Sequence, residues 1–355
     1  MKEFEVQKYL RKGRVLPVLP EPLPPGCRDF MVIPACDELE HFEQTCASLL
    51  ALDGIEKAAV LVVVNQPIGA DKRIIEANRQ LCRLLEKTPF FRIEAGELTQ
   101  GAGEARRIGF DAVIAALEPE VLEKTILYSF DADTIAEKEY FTKVRNAFAA
   151  KTTGAVSIGV SHQMGATPEE EQAIREYENY MDRYVRRLHE AGSPYAFHTI
   201  GSAFAVRADI YVRSGGMRLR QAGEDFYFLQ AVAKIAAVSE LPEKLVHPSA
   251  RLSHRVPFGT GRAVEQLLKG ESLHEIPDAP FAVLKKVLDC AHSGKYEFFE
   301  AFPPEAKPFF ESLKFQENWG RIVKNTPPTQ LTDAFDRWFD GLQTLRFLHF
   351  LQEKI

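Results

Sequence analysis

Residues 30–52, "FMVIPACDELEHFEQTCASLLAL", decide the fold. "FMVIP" (30–34) is a short apolar, β-branched run closed by a proline, which reads as a buried strand. Beyond it, Asp37 and Glu40 have the spacing of a capping box, and Phe42, Cys46 and Leu49 recur at helical spacing. The unit is strand, loop, helix, and it repeats outward. "VLVVV" (60–64) precedes a helix near 70–87, "FFRIEA" (90–95) one near 103–116, and "ILYSF" (126–130) one near 137–150. Such alternation predicts an α/β fold in which a mostly parallel, buried sheet is covered by helices. Further along, "AVSIGV" (155–160) reads as a strand, 168–190 as a charged helix, and "AFHTIGSAFAVR" (196–207) as another strand. From about 262 onward the chain reads as helical. There Phe335, Trp338, Phe339, Leu342, Leu345 and Leu348 form an apolar face expected to pack on the main domain. "LPVLPEPLPPG" (16–26) is too proline-rich for a helix or central strand and reads as an extended lead-in.

The chain has 355 residues, 45% hydrophobic and 26% charged, ordinary for a globular protein with a substantial core. A net charge of −6 without a long Lys/Arg block argues against a nucleic-acid binder or an electrostatic membrane anchor. A small phosphate-bearing molecule stays compatible, because local cations can bind it. The five cysteines are scattered and form no C-x-x-C pair, so neither a disulfide framework nor a zinc site is expected. The N-terminus lacks the apolar core of a signal peptide, and nowhere is there an apolar run of about 18 residues. The expectation is a cytoplasmic enzyme without a transmembrane segment, with peripheral membrane contact left open.

In parallel sheets ligands bind at the carboxyl ends of the strands, where Pro34 to Glu38, Asn65 and Asp131 to Asp133 fall. "FDADT" (130–134) places Asp131 and Asp133 one residue apart. Two carboxylates on one face of an extended chain, roughly 6 to 7 Å apart, call for a cation, and Mg²⁺ or Mn²⁺ has the matching oxygen chemistry. The alternative is that one Asp caps a turn while the other faces water. "QGAGEARRIGF" (100–110) is a Gly-rich turn opening a helix that carries Arg106 and Arg107. Its backbone N–H groups and guanidiniums suit phosphate oxygens, or else the arginines are merely solvated. In "GEDFYFLQ" (223–230), Asp225 shares the apolar stripe of a helix start and can serve as a general base; alternatively Asp225 or Glu224 only meets the helix N-terminus. His254 in "RLSHRVPFGTG" (251–261) is a metal-ligand candidate or a structural histidine, followed by a flexible loop at 258–261. "GSAFAVR" (201–207), with Gly201 and Ser202, reads as turn chemistry before a strand.

Taken in order, "VIPACDE", the Gly-rich turn with "ARRIG", "FDADT", "GSAFAVR" followed by a Gly pair, and "GED" resemble family 2 glycosyltransferases of the GT-A fold over about residues 30–260. The resemblance implies a Rossmann-like three-layer domain, a nucleotide-diphosphate sugar donor and a divalent metal. It makes Asp133 a metal ligand and Asp131 a contact to donor ribose, sugar or metal-bound water. Asp225 becomes the catalytic base and Glu224 a neighbour on the acceptor side. Pro34, Ala35 and Glu38 fall near the nucleoside, Gly103, Arg106, Arg107 and Ser202 around the donor, and His254 resembles a further metal ligand. Where such enzymes carry a second acidic pair, this chain reads "NQPIG" (65–69), leaving Asn65 to meet the base.

The implied organisation is a lead-in (1–29), a GT-A domain (30–261, with a nucleotide half to 134 and an acceptor half from 135) and a helical extension (262–355). The processive motif Q-x-x-R-W and transmembrane helices are missing, so one sugar per encounter is expected, with inversion, onto an acceptor hydroxyl of a glycan, a lipid-linked species or a small molecule. Two rivals stand beside this: a sugar-1-phosphate nucleotidyltransferase and a non-catalytic nucleotide-sugar binding scaffold.

Overall fold

The computed structural model describes residues 1–11, 26–220, 222–251, 259–294 and 297–354. The chain divides into two compact units: Met1–Ile174 with His198–Lys269, and Arg175–Phe197 with Gly270–Ile355. The helical C-terminal segment thus recruits residues 175–197, which the sequence assigns to the acceptor half.

The first unit runs α1 (Glu3–Leu10), β1 (Asp29–Ala35), α2 (Leu39–Leu50), β2 (Ala58–Pro67), α3 (Lys72–Leu85), β3 (Phe91–Leu98) and α4 (Gly101–Ala116). It continues with β4 (Ile126–Ser129), β5 (Thr134–Ala136), α5 (Tyr140–Ala147), β6 (Thr153–Val160) and the start of α6 (Pro168–Ala191). After α6 come β7 (Phe204–Arg207), α7 (Ala208–Ser214), α8 (Glu224–Ala233), β8 (Ala237–Pro248) and α9 (Thr260–Leu268). The strands form one eight-stranded sheet in the order β3-β2-β1-β4-β7-β6-β8-β5.

Strands β3, β2, β1 and β4 are parallel, as expected. Beyond them the sheet is mixed: β7 is antiparallel to both β4 and β6, and β5 to β8, while β6 and β8 are parallel. Six of the eight strands therefore run in one direction, so the sheet is mostly parallel as expected, and β7 and β5 run against it; an apolar run reports burial, not direction, so the sequence pattern does not mark those two. Of the strand read over 196–207, only Phe204–Arg207 forms.

Alternation along the strands sorts the two faces. Met31, Ile33, Val60, Val62 and Val64 join Phe42, Cys46 and Leu49 of α2, Leu81 and Leu85 of α3, and Tyr140 and Phe141 of α5 in one core. On the other face α4 lies against β1 and β2, and rings of Phe110, Tyr211, Phe228 and Phe204 stack edge-on or tilted at 5.3–5.7 Å. The result is helix, sheet, helix.

Two sequence readings change. β1 does not stop at Pro34: it pairs with β2 through Ala35, whereas β4 pairs only as far as Val32. A proline's missing N–H is tolerated there because one side of β1 has already lost its neighbour. The lead-in is not wholly extended, because Glu3–Leu10 is a helix anchored by buried Val6 and Tyr9, the Tyr9 hydroxyl donating to Asp111. Most of the proline-rich stretch lies outside the described residues.

The second unit comprises the rest of α6 with α10 (Asp278–Ala291), α11 (Lys307–Ser312), α12 (Phe315–Asn325), α13 (Leu331–Trp338) and α14 (Gly341–Gln352). Phe298, Phe302, Phe310, Phe315, Trp319, Phe335 and Phe347 build its core, together with Leu188 and Ala191 of α6. Phe335, Phe339 and Leu348, expected to pack on the main domain, are buried in this core instead, with Trp338 and Leu345 against it. Arg183 and Arg187 on α6 both bond Glu275, at 2.9 and 2.7 Å. Among the described residues no helix is long and apolar enough to cross a membrane.

Candidate active site

At the carboxyl ends of β1 and β4 the chain gathers charged side chains from distant segments. The D-A-D is not extended. It forms a turn between β4 and β5, closed by the Thr134 N–H donating to the Asp131 carbonyl at 3.2 Å. Thr45 of α2 bonds the Ala132 carbonyl at 2.9 Å, and Gln163 donates to the carbonyls of Asp133 and His247 at 3.0 and 2.8 Å, so the turn is fixed from both sides.

Because the backbone turns, the two aspartates take different partners. Asp131 pairs with Arg106, whose other terminal nitrogen reaches Glu224 at 2.5 Å. Arg106 is only 3% exposed, and its Nε has no hydrogen-bond partner among the described residues. Burial pulls down the guanidinium pKa, but Asp131, Glu224 and Asp225 outweigh it and leave the group firmly charged. Asp133 meets Arg251 at 2.8 Å, and the same guanidinium bonds both oxygens of Glu38 at 2.7 Å. Burial, then the charge of Asp131, raises the Asp133 pKa against the pull of Arg251.

Space for the Arg106 pairs comes from glycine. A Cβ on Gly201 would lie 2.8 Å from Arg106 Nη2, and one on Gly103 2.6 Å from Glu224 Cγ. Gly103, expected near the donor, therefore makes room for Glu224. Glu224 and Asp225 open α8, and the Asp225 carboxylate accepts the Phe226 N–H at 2.7 Å. Its pKa is pushed up to about 7, first by burial and then by Glu224.

The remaining expected residues fall as follows. Pro34 and Ala35 are buried at the end of β1. The Asn65 amide donates to the carbonyls of Ala35 and Val63, tying β2 to β1. Asp37 does not cap α2: it has a left-handed backbone, φ 58°, and pairs with Arg73 at 2.6 and 2.9 Å. Arg107 turns away from Arg106 toward Asp111, at 3.5 Å. The amides of Thr99 and Gln100 before α4 are taken by Glu104, both at 2.9 Å, so the Gly-rich turn brings its own anion. Ser202 is buried in the turn before β7. His254 and Phe258 lie outside the described residues.

Sequence reasoning missed Arg251. It heads the very stretch singled out for His254, and its signal lay in the balance of charges: among the described residues Glu38, Asp131, Asp133, Glu224 and Asp225 face Arg106 and Arg251. Among the described residues no three His, Cys, Asp or Glu side chains are grouped to hold a metal.

No protein-family model and no curated protein matches the chain. Among solved structures, residues 1–349 of TarS from S. aureus, in complex with UDP-GlcNAc, are similar at 13% identity over 82% of this chain and 89% of that one, with a TM-score of 0.46. The mannosyltransferase PcManGT from Pyrobaculum calidifontis, in complex with GDP-Man and Mn²⁺, is similar at 15% identity over 95% and 93%, with a TM-score of 0.43. At identities this low, function has to be read from the side chains of this chain.

Proposed function

We propose that the protein is a glycosyltransferase that moves one sugar from a nucleoside-diphosphate sugar to an acceptor hydroxyl, with inversion and with the help of Mn²⁺ or Mg²⁺. The observation that carries this reading is the gathering of Asp131, Glu224 and Asp225 around the buried Arg106, where burial and then Glu224 push the Asp225 pKa up to about 7. A base poised near the working pH accepts a proton in the transition state most efficiently. The ordered motifs of the sequence, which resemble a glycosyltransferase, supply the reaction class.

In this reading Asp225 takes the acceptor proton as the acceptor oxygen forms its bond to the anomeric carbon. The bond from that carbon to the diphosphate breaks on the opposite face, and its electron pair leaves with the nucleoside diphosphate. Arg106 keeps Asp131, on the donor side, and Glu224, on the acceptor side, at a fixed separation. Pro34, Ala35 and Glu38 lie nearest the nucleoside in this reading, with Asn65 bracing the end of β1 from β2.

The residues fit a divalent cation. Asp131 and Asp133 are hard oxygen donors in a cluster where, among the described residues, carboxylates outnumber guanidiniums, and Mg²⁺-type sites take one or two carboxylates and complete their shell with substrate phosphates and water. When bound, the ion supplies neutralisation of the departing diphosphate.

Thermal unfolding against UDP, GDP, ADP, CDP and dTDP, each with and without Mn²⁺, tests the reading. A ligand at about 100 times its dissociation constant should stabilise by roughly 2.7 kcal/mol. A metal-dependent shift with one diphosphate is expected; none with any of them overturns the proposal. Asp225→Asn should keep that shift and lose transfer, and transfer at near wild-type rate would remove Asp225 from the base role. Release of pyrophosphate in place of nucleoside diphosphate would favour nucleotidyl transfer.

A further inference from the structure

Arg251 joins two carboxylates that the chain brings from far apart, Glu38 after β1 and Asp133 after β4. Its Nη2 bonds both oxygens of Glu38 at 2.7 Å, and its Nε and Nη2 both reach Oδ2 of Asp133 at 2.8 Å. Glu38 is buried, and Asp133 is 17% exposed. Without a cation these two charges would be costly to hold there, so the guanidinium performs locally the neutralisation that a metal ion would perform. Asp131, the other aspartate of the turn, is served separately by the buried Arg106, whose Nε is left without a partner among the described residues. The two cations therefore divide the D-A-D between them, and the Asp133 end is held by the more exposed one, 24% against 3%.

We propose that Arg251 is the resident counter-ion of the metal subsite: it neutralises Glu38 and Asp133 when no divalent cation is present, and a cation taking Asp133 displaces its guanidinium from that carboxylate. The inference rests on the glycosyltransferase reading, in which Asp133 is a metal ligand. The consequence is competition. Mn²⁺ without nucleotide binds weakly, because it must first break a charge-assisted pair, and the donor's phosphates are needed to tip the exchange. Arg251 acts through Asp133 and is a positioning residue.

Mn²⁺ titration without nucleotide, followed by the loss of the free-ion EPR signal, tests this on the full chain. Arg251→Gln should bind Mn²⁺ at least about tenfold more tightly than wild type, the equivalent of losing one charge-assisted hydrogen bond as competitor. It should also gain a larger Mn²⁺-dependent rise in unfolding temperature. Arg251→Lys, which keeps the charge, should stay near wild type. If Arg251→Gln does not fold, Glu38→Gln with Arg251→Gln is compared with Glu38→Gln alone, and the same tightening is expected. Equal Mn²⁺ affinity with and without Arg251, or no binding in either, overturns the inference. A metal-dependent nucleotide shift in wild type beside unchanged Mn²⁺ affinity sinks the Arg251 role alone. Loss of that shift across all nucleotides sinks the donor reading.

Discussion

Arg106 is the residue on which the site turns. One buried guanidinium holds two carboxylates from segments more than ninety positions apart, Asp131 and Glu224. Arg106→Met leaves both without their cation, and loss of one partner of a buried pair costs about 3–5 kcal/mol. With Asp131 35% exposed, the lower end of that range is expected in urea unfolding. Gly201→Ala drives a methyl group toward the same guanidinium and should cost about 1–3 kcal/mol; an unchanged midpoint would show that Arg106 gives way without penalty. At Asp225 the raised pKa sets a rate profile. In the proposed role Asp225 works only when deprotonated, so kcat/KM should climb as pH rises toward about 7 and flatten above it. A profile flat from pH 5 to 8 would exclude this carboxylate as the base.

At the scale of elements, α8 matters most, because its first turn carries Glu224 and Asp225. Its anchor is Phe228, fully buried, with its ring 5.5 Å from Phe204 on β7 and 5.7 Å from Tyr211 on α7. Phe228→Ala should destabilise by about 3–5 kcal/mol and loosen the carboxylate pair, read as a lower denaturation midpoint together with slower transfer. The β1 to β4 half of this architecture was legible because buried parallel strands are written as continuous apolar runs between amphipathic helices. Strands β5 and β8 were hidden: β5 is three residues long, and β8 carries Glu240, Pro242, Glu243 and Lys244 within it. Charged, partly exposed strands lack the period that a sequence pattern needs.

For the whole molecule, the pKa shifts set how stability follows pH. Asp225 binds its proton more tightly folded than unfolded, so its contribution is full below about pH 3.9, the unfolded value, and is lost as pH rises to about 7. His292, raised by its bond to Asp336, acts in the same sense, losing its contribution as pH rises through its folded value. Denaturation midpoints should therefore fall between pH 5 and 8, and Asp225→Asn should flatten part of that slope. A slope unchanged by Asp225→Asn would return this carboxylate to an ordinary pKa.

Local chemistry was enough to determine the alternation of strand and helix, the burial of β1 and β2 and the helical C-terminus, because hydrophobic period and turn residues act over a few positions. Burial in that C-terminus was legible too, but not its destination, since an amphipathic face does not say what covers it. The pairing of charges was decided only in three dimensions. Two aspartates one residue apart predict a shared cation from an extended chain, yet the backbone turns at Ala132 and gives each its own arginine. Arg106 lies 25 residues before Asp131, and Arg251 118 after Asp133. Coulomb attraction acts over a few ångströms of space, and only the tertiary fold sets which charges lie that close.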